Sequence, residues 1–135
     1  MLLLAGCAAP EQQPTPEAPP PVVPAPAPHK ENVAIAGLMD SARSDAASGN
    51  LAGAAASLER ALRIEPRNPR LWHELARVRL KQGQFAQAES VAARSNSWAG
   101  DDRSLRAENW RLIAESRRAR GDNDGAQAAL EAAAR

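Results

Sequence analysis

Residues Pro69–Ala92 read PRLWHELARVRLKQGQFAQAESVA, and this stretch decides the architecture. Asn68 in front of it is a helix N-cap, and Pro69 stands at the first helical position, where its missing N–H would be unpaired anyway. Glu65-Pro66 closes whatever helix precedes. Trp72, Leu75 and Ala76 share one face at helical spacing, which predicts an amphipathic helix over residues 69–82. Gly83 suits the left-handed position just past a helix end. Phe85, Ala88 and Ala92 then mark a second helix, whose alanines let two helix backbones approach closely.

The same skeleton recurs on both sides. Gly49-Asn50-Leu51, Gly83-Gln84-Phe85 and Gly121-Asp122-Asn123 are spaced by 34 and then 38 residues. An upstream copy carries Leu38, Ser41, Ala42, Gly49, Leu51, Ala54, Leu58, Ala61 and Pro66. A downstream copy carries Trp110, Ile113, Ala114, Gly121, Ala126 and Leu130. The four extra residues of the longer spacing fit an extended connection over Asn96–Asp102. The middle copy resembles the tetratricopeptide pattern W-x2-L-G/A … G-x-F/Y-x2-A, and the resemblance runs from about Ile35 to Arg135. It implies an all-α fold, a tetratricopeptide-repeat array of three helical hairpins. Six helices are expected near 33–48, 52–64, 69–82, 85–95, 103–120 and 124–134. Repeats of this kind usually end in a capping helix, so the Ala-rich last helix is expected to stay partly exposed or to find a partner.

Composition agrees with helices. Alanine supplies 31 of the apolar residues in this 135-residue protein, while Val, Ile and Thr together number nine, which argues against a sheet. The net charge of +1 speaks against a strongly basic nucleic-acid binder. One cysteine leaves no internal disulfide, and two histidines without a nearby Cys give no metal-ligand spacing.

The front of the sequence has a different character. Leu4-Ala5-Gly6-Cys7 is similar to the bacterial lipobox, in which the cysteine is acylated and becomes the mature N-terminus. Only six residues precede Cys7 and none is basic, so a complete secretory signal is expected to begin upstream of Met1. From Ala8 to Pro28 the sequence reads AAPEQQPTPEAPPPVVPAPAP, holding nine of the 11 prolines. Prolines every two or three residues remove donors that either ladder would need, so the segment favours extended polyproline II, spanning ~65 Å at about 3.1 Å per residue. A PxxP ligand for an SH3-type module is the competing reading. The expected organisation is a signal remnant and lipobox over 1–7, a disordered Pro/Ala-rich linker over 8–30 and a repeat domain over 31–135. Ala8 and Ala9, with no Asp at the second place, imply export to the outer membrane in the resembled lipoprotein class. Acyl groups on Cys7 would meet the requirement for stable anchoring.

Chemistry is sparse. The sequence shows no Gly-rich phosphate loop, paired-carboxylate site or nucleophile motif. His73 as a catalytic base would need an orienting partner and a nucleophile, and only Glu74 is near in sequence. It is expected to be a lone surface or contact histidine. Gly121–Gly125 reads GDNDG but has no downstream Glu at calcium-loop spacing, so a helix-joining turn is expected. No enzyme activity, cofactor, metal or small-molecule substrate is expected.

What remains is a surface. In tetratricopeptide folds the concave groove is lined by the first helix of each repeat. Carried over position by position, the resemblance implies a groove of Met39 and Arg43, then Arg70, His73, Arg77 and Lys81, then Arg111, Glu115 and Arg118. This set is positive, and arginine suits bidentate recognition of a carboxylate, so an acidic segment or the C-terminal carboxylate of a partner is the expected ligand. The carboxylate clamp of chaperone-binding relatives uses Asn and Lys where this protein has Asp40, Arg43 and Glu74, so chaperone-tail binding is not implied.

A lipobox, a Pro/Ala tether and a compact tetratricopeptide domain in that order resemble the LpoP group. These outer-membrane lipoproteins activate a class A penicillin-binding protein, the bifunctional peptidoglycan synthase. The resemblance implies that partner, with the domain facing the periplasm. A scaffold lipoprotein that recruits a protease or cell-wall hydrolase, or a pilotin-like assembly factor, is the alternative.

Overall fold

The structure, a computed structural model, describes residues 32–135. Cys7 and the Pro-rich segment lie outside them. The described residues form six helices: α1 (Val33–Ala47), α2 (Leu51–Ile64), α3 (Pro69–Lys81), α4 (Phe85–Trp98), α5 (Arg103–Ala119) and α6 (Asn123–Ala133). Consecutive helices pack as antiparallel hairpins, α1 with α2, α3 with α4 and α5 with α6, and each hairpin stacks on the next.

The helix starts are set by short polar side chains. Asn32, Asn50, Asn68, Asp102 and Asp122 each accept from a backbone N–H of the following turn, at 2.9–3.1 Å. These bonds satisfy donors that a helix leaves unpaired. Asp122 therefore caps α6, which is the turn expected for residues 121–125. Gly125 leaves room for this cap, because an added Cβ would stand 2.1 Å from an Asp122 carboxylate oxygen and push the capping side chain aside. At the hairpin bends Gly83 has φ +73°, and the equivalent Gly49 and Gly121 have +82° and +83°. That conformation is strained for residues with a Cβ.

α4 is longer than expected, continuing three residues past Ser95 to Trp98. Ser95 Oγ donates to the Pro69 carbonyl at 2.8 Å, which holds the end of α4 against the start of α3 and keeps the extra turn helical. The connection between repeats shrinks to Ala99–Asp102.

The core has two parts that meet on α3. Leu71, Leu75 and Val78 of α3 pack with Ile35, Ala42, Leu58 and Leu62 of the first hairpin. Ala76 of α3 packs with Ala92, Ile113, Ala114, Ala126 and Ala129 of the later helices. Ala54, Ala61, Ala76, Ala88 and Ala92 are fully buried, so the close helix approach rests on alanine, as its abundance predicts. α3 is thus buried on more than one face, which matters for the residues expected to be free on it.

Candidate protein-binding groove

α1 and α3, the first helices of two successive repeats, flank a hollow of about 180 Å³. Met39, Arg43, Arg77 and Lys81 line it, with Ala42, Leu58 and Val78 among its apolar walls. A wider cleft of about 1120 Å³ continues from it, sharing Met39 and Arg43 and reaching Arg70 across the α2–α3 turn. Five of the nine residues predicted for the groove are therefore brought together. Met39 and Arg43 are one helical turn apart on α1, as are Arg77 and Lys81 on α3, so each pair shares a face. The apolar floor with a basic rim suits an extended segment carrying both apolar and acidic side chains.

Arg111, Glu115 and Arg118 lie exposed on α5 and do not line the smaller hollow. They extend the same succession of first helices.

The expected positive charge is partly neutralised within the protein. Arg43 pairs with Asp40 at 3.5 Å, Arg70 with Asp102 at 3.4 Å and Arg77 with Glu74 at 3.2 Å. The pairs are solvent-exposed and each is worth about 0.2–1 kcal/mol, so an incoming carboxylate competes with them at small cost. Lys81 has no ion pair among the described residues.

His73 is a correction. It is not a surface histidine: its residue is 9% exposed, held between α3 and α5. Its Nδ1 stands 2.8 Å from Asn109 Oδ1, and its Nε2 lies 3.5 Å from Glu108 Oε2. The Asn109 amide spends its two donors on Ser95 Oγ at 2.7 Å and Asn96 Oδ1 at 2.9 Å, so its oxygen receives the His73 Nδ1–H. Asn109 is fully buried, and the run of bonds Pro69–Ser95–Asn109–His73 ties the second repeat to the third. Sequence reasoning passed over Asn109 and Ser95. The one available signal was an Asn inside a helix beside the pattern residue Trp110, a place where a polar amide needs a reason.

Two further charge clusters staple the helices. Arg117 of α5 and Arg120 just past its end both reach Glu89 of α4, and Arg79 of α3 reaches Glu59 of α2. Among the described residues no group of three or more metal-ligating side chains gathers. No helix among them is long and apolar enough to cross a membrane.

Comparison with known proteins agrees with this architecture. The family model described as tetratricopeptide repeat matches residues 45–114. A search of curated proteins found no significant match. Among solved structures, the protein is similar to the globular C-terminal domain of P. aeruginosa LpoP, at 44% identity and a TM-score of 0.76. That match covers 77% of this protein and 98% of the LpoP domain. Stacked helical hairpins, the repeat spacing and this likeness together place the protein in the tetratricopeptide repeat family, as an LpoP-like member.

Proposed function

We propose that the protein is an outer-membrane lipoprotein, anchored through acylated Cys7, whose repeat domain binds and activates a class A penicillin-binding protein in the periplasm. The observation that carries this reading is the 44% identity to the LpoP domain across nearly its whole length. The α1–α3 groove supports it, with its apolar floor and arginine rim suited to a protein segment. The domain acts by binding and not by turnover. His73, the residue that catalysis would need first, is 9% exposed and closed inside the helix stack, away from any substrate.

Activation follows from linkage. A domain that binds the active synthase more tightly than the inactive one shifts the enzyme toward activity, and a ~100-fold preference is about 2.7 kcal/mol. The Pro-rich tether, ~65 Å if fully extended at about 3.1 Å per residue, would hold the domain away from its anchor. Exposed rim charges such as Lys81 would steer encounter and orientation more than they raise affinity.

The test adds purified residues 29–135 to a class A penicillin-binding protein of the same organism and follows glycan polymerisation from lipid-linked precursor. A several-fold, saturable rise is expected. An active synthase that does not respond would overturn the reading and favour a scaffold role, to be pursued by crosslinking.

A further inference from the structure

Two arginines of this domain are held over tryptophans in an interlocked arrangement. Arg67, in the α2–α3 turn, places its Cζ 5.2 Å from the ring centre of Trp98 at the end of α4. Arg94, one turn earlier on α4, places its Cζ 5.2 Å from the ring centre of Trp72 on α3. Each tryptophan is thus covered by an arginine from the opposite element. The corner is fixed from below, because Trp72 Nε1 donates to the Pro66 carbonyl at 2.8 Å and Ser95 Oγ donates to the Pro69 carbonyl. Arg67 and Arg94 are both exposed, Trp98 is 43% exposed, and Ile64, three residues before Arg67 at the end of α2, is 48% exposed.

These arginines differ from those of the groove in one respect. Arg43, Arg70 and Arg77 already have a carboxylate of their own protein within 3.5 Å. Among the described residues neither the Arg67 nor the Arg94 side chain has an ion pair or a hydrogen bond. The carboxylate nearest in sequence, Glu65, is occupied by Asn68 Nδ2 at 2.8 Å. Placement over a ring orients a guanidinium without consuming its donors, so less side-chain freedom is lost when a carboxylate arrives. Tryptophan and arginine are also the residues most enriched where binding energy concentrates at protein interfaces.

We propose that this Arg67/Trp98–Arg94/Trp72 corner, which adjoins the wider cleft through Arg67, is a further docking surface that receives neighbouring carboxylates on an acidic protein segment. The exposed part of Trp98 gives that segment an apolar contact beside its charges. A protein is favoured over an anionic membrane because two basic groups alone attract a lipid surface only weakly.

The test uses the full-length protein with Cys7→Ser, labelled with ¹⁵N. The probe is a synthetic peptide of glutamates interrupted by leucines, and the control has glutamine for every glutamate. Saturable shifts of the Arg67 and Arg94 Nε–H and of the Trp98 indole N–H are expected with the acidic peptide only. Arg67→Gln with Arg94→Gln should weaken binding at least tenfold while the domain stays folded, with a lowered melting temperature from the two lost cation–π contacts. Arg67→Lys with Arg94→Lys should also bind several-fold more weakly, because an ammonium lacks the planar fork. Absence of shifts at millimolar peptide, full affinity in either double variant, or the same shifts with the glutamine peptide would overturn the proposal. So would a response confined to phosphatidylglycerol vesicles, which would assign the corner to lipid.

Discussion

Asn109→Ala should be among the most damaging single substitutions in this domain, although it removes no apolar surface of consequence. The side chain is fully buried and makes three hydrogen bonds, with His73, Ser95 and Asn96. After truncation the Ser95 hydroxyl keeps the Pro69 carbonyl at 2.8 Å, so its share of the loss is small. His73 fares worse, since its buried Nδ1–H loses its acceptor. A net hydrogen bond is worth about 1 kcal/mol, and a buried polar group left unpaired costs about 1–3 kcal/mol. The total comes to about 3–5 kcal/mol. For a domain of roughly 100 residues each kcal/mol moves Tm by about 4–8 °C, so a fall of at least about 12 °C is expected. Thermal and urea unfolding followed by far-ultraviolet circular dichroism would measure it. Ser116→Ala is the internal contrast: the Ser116 Oγ is buried with no partner, so its removal should be neutral or slightly stabilising. If Asn109→Ala stayed within about 0.5 kcal/mol of the parent, or Ser116→Ala cost as much, the energetic role of the polar bridge would be refuted.

The other predictions address the bends, the core, the groove and the anchor. Gly83→Ala should cost about 1–2 kcal/mol, purely from its φ of +73°, because an added Cβ meets nothing within 4 Å; an unchanged urea midpoint would contradict this. Leu71→Ala, at a fully buried position of the first core, should lose about 2–5 kcal/mol by the same measurement. Arg77→Glu combined with Lys81→Glu reverses two exposed charges lining the hollow and should weaken synthase binding with little change in Tm. If affinity holds, the groove is not the contacting face. Cys7→Ser should leave the domain folded and release it from membranes, and continued sedimentation with the membrane fraction would argue against acylation.

The helices and their order were legible because each decision is local. A cap at Asn68, a proline at Pro69 and a left-handed glycine at Gly83 act within a few residues, and helical spacing names the buried face of one helix. Hence the boundaries agree to within about a residue, except where α4 runs on to Trp98. That exception depends on Ser95 meeting Pro69 across 26 residues of sequence, which no local rule contains.

The groove was legible in the same limited sense. Met39 with Arg43, and Arg77 with Lys81, are pairs one turn apart, and the repeat pattern says that such faces adjoin. Their sequence does not say which arginines already hold a carboxylate, since Arg70 finds Asp102 from 32 residues away. Nor does it say that His73 is enclosed: helical periodicity gives a residue's angle around its own helix, whereas enclosure depends on how closely α5 lies against α3. The same holds for the Arg67/Trp98 and Arg94/Trp72 pairs, which exist only because the end of α4 is pinned beside the α2–α3 turn. The sequence by itself therefore determined six helices, their hairpin pairing and the α1 and α3 faces that flank the hollow. The tertiary structure alone decided which of those side chains remain free to meet a partner, because pairing and burial are set by the distance between helices, and that distance is a property of the packed stack.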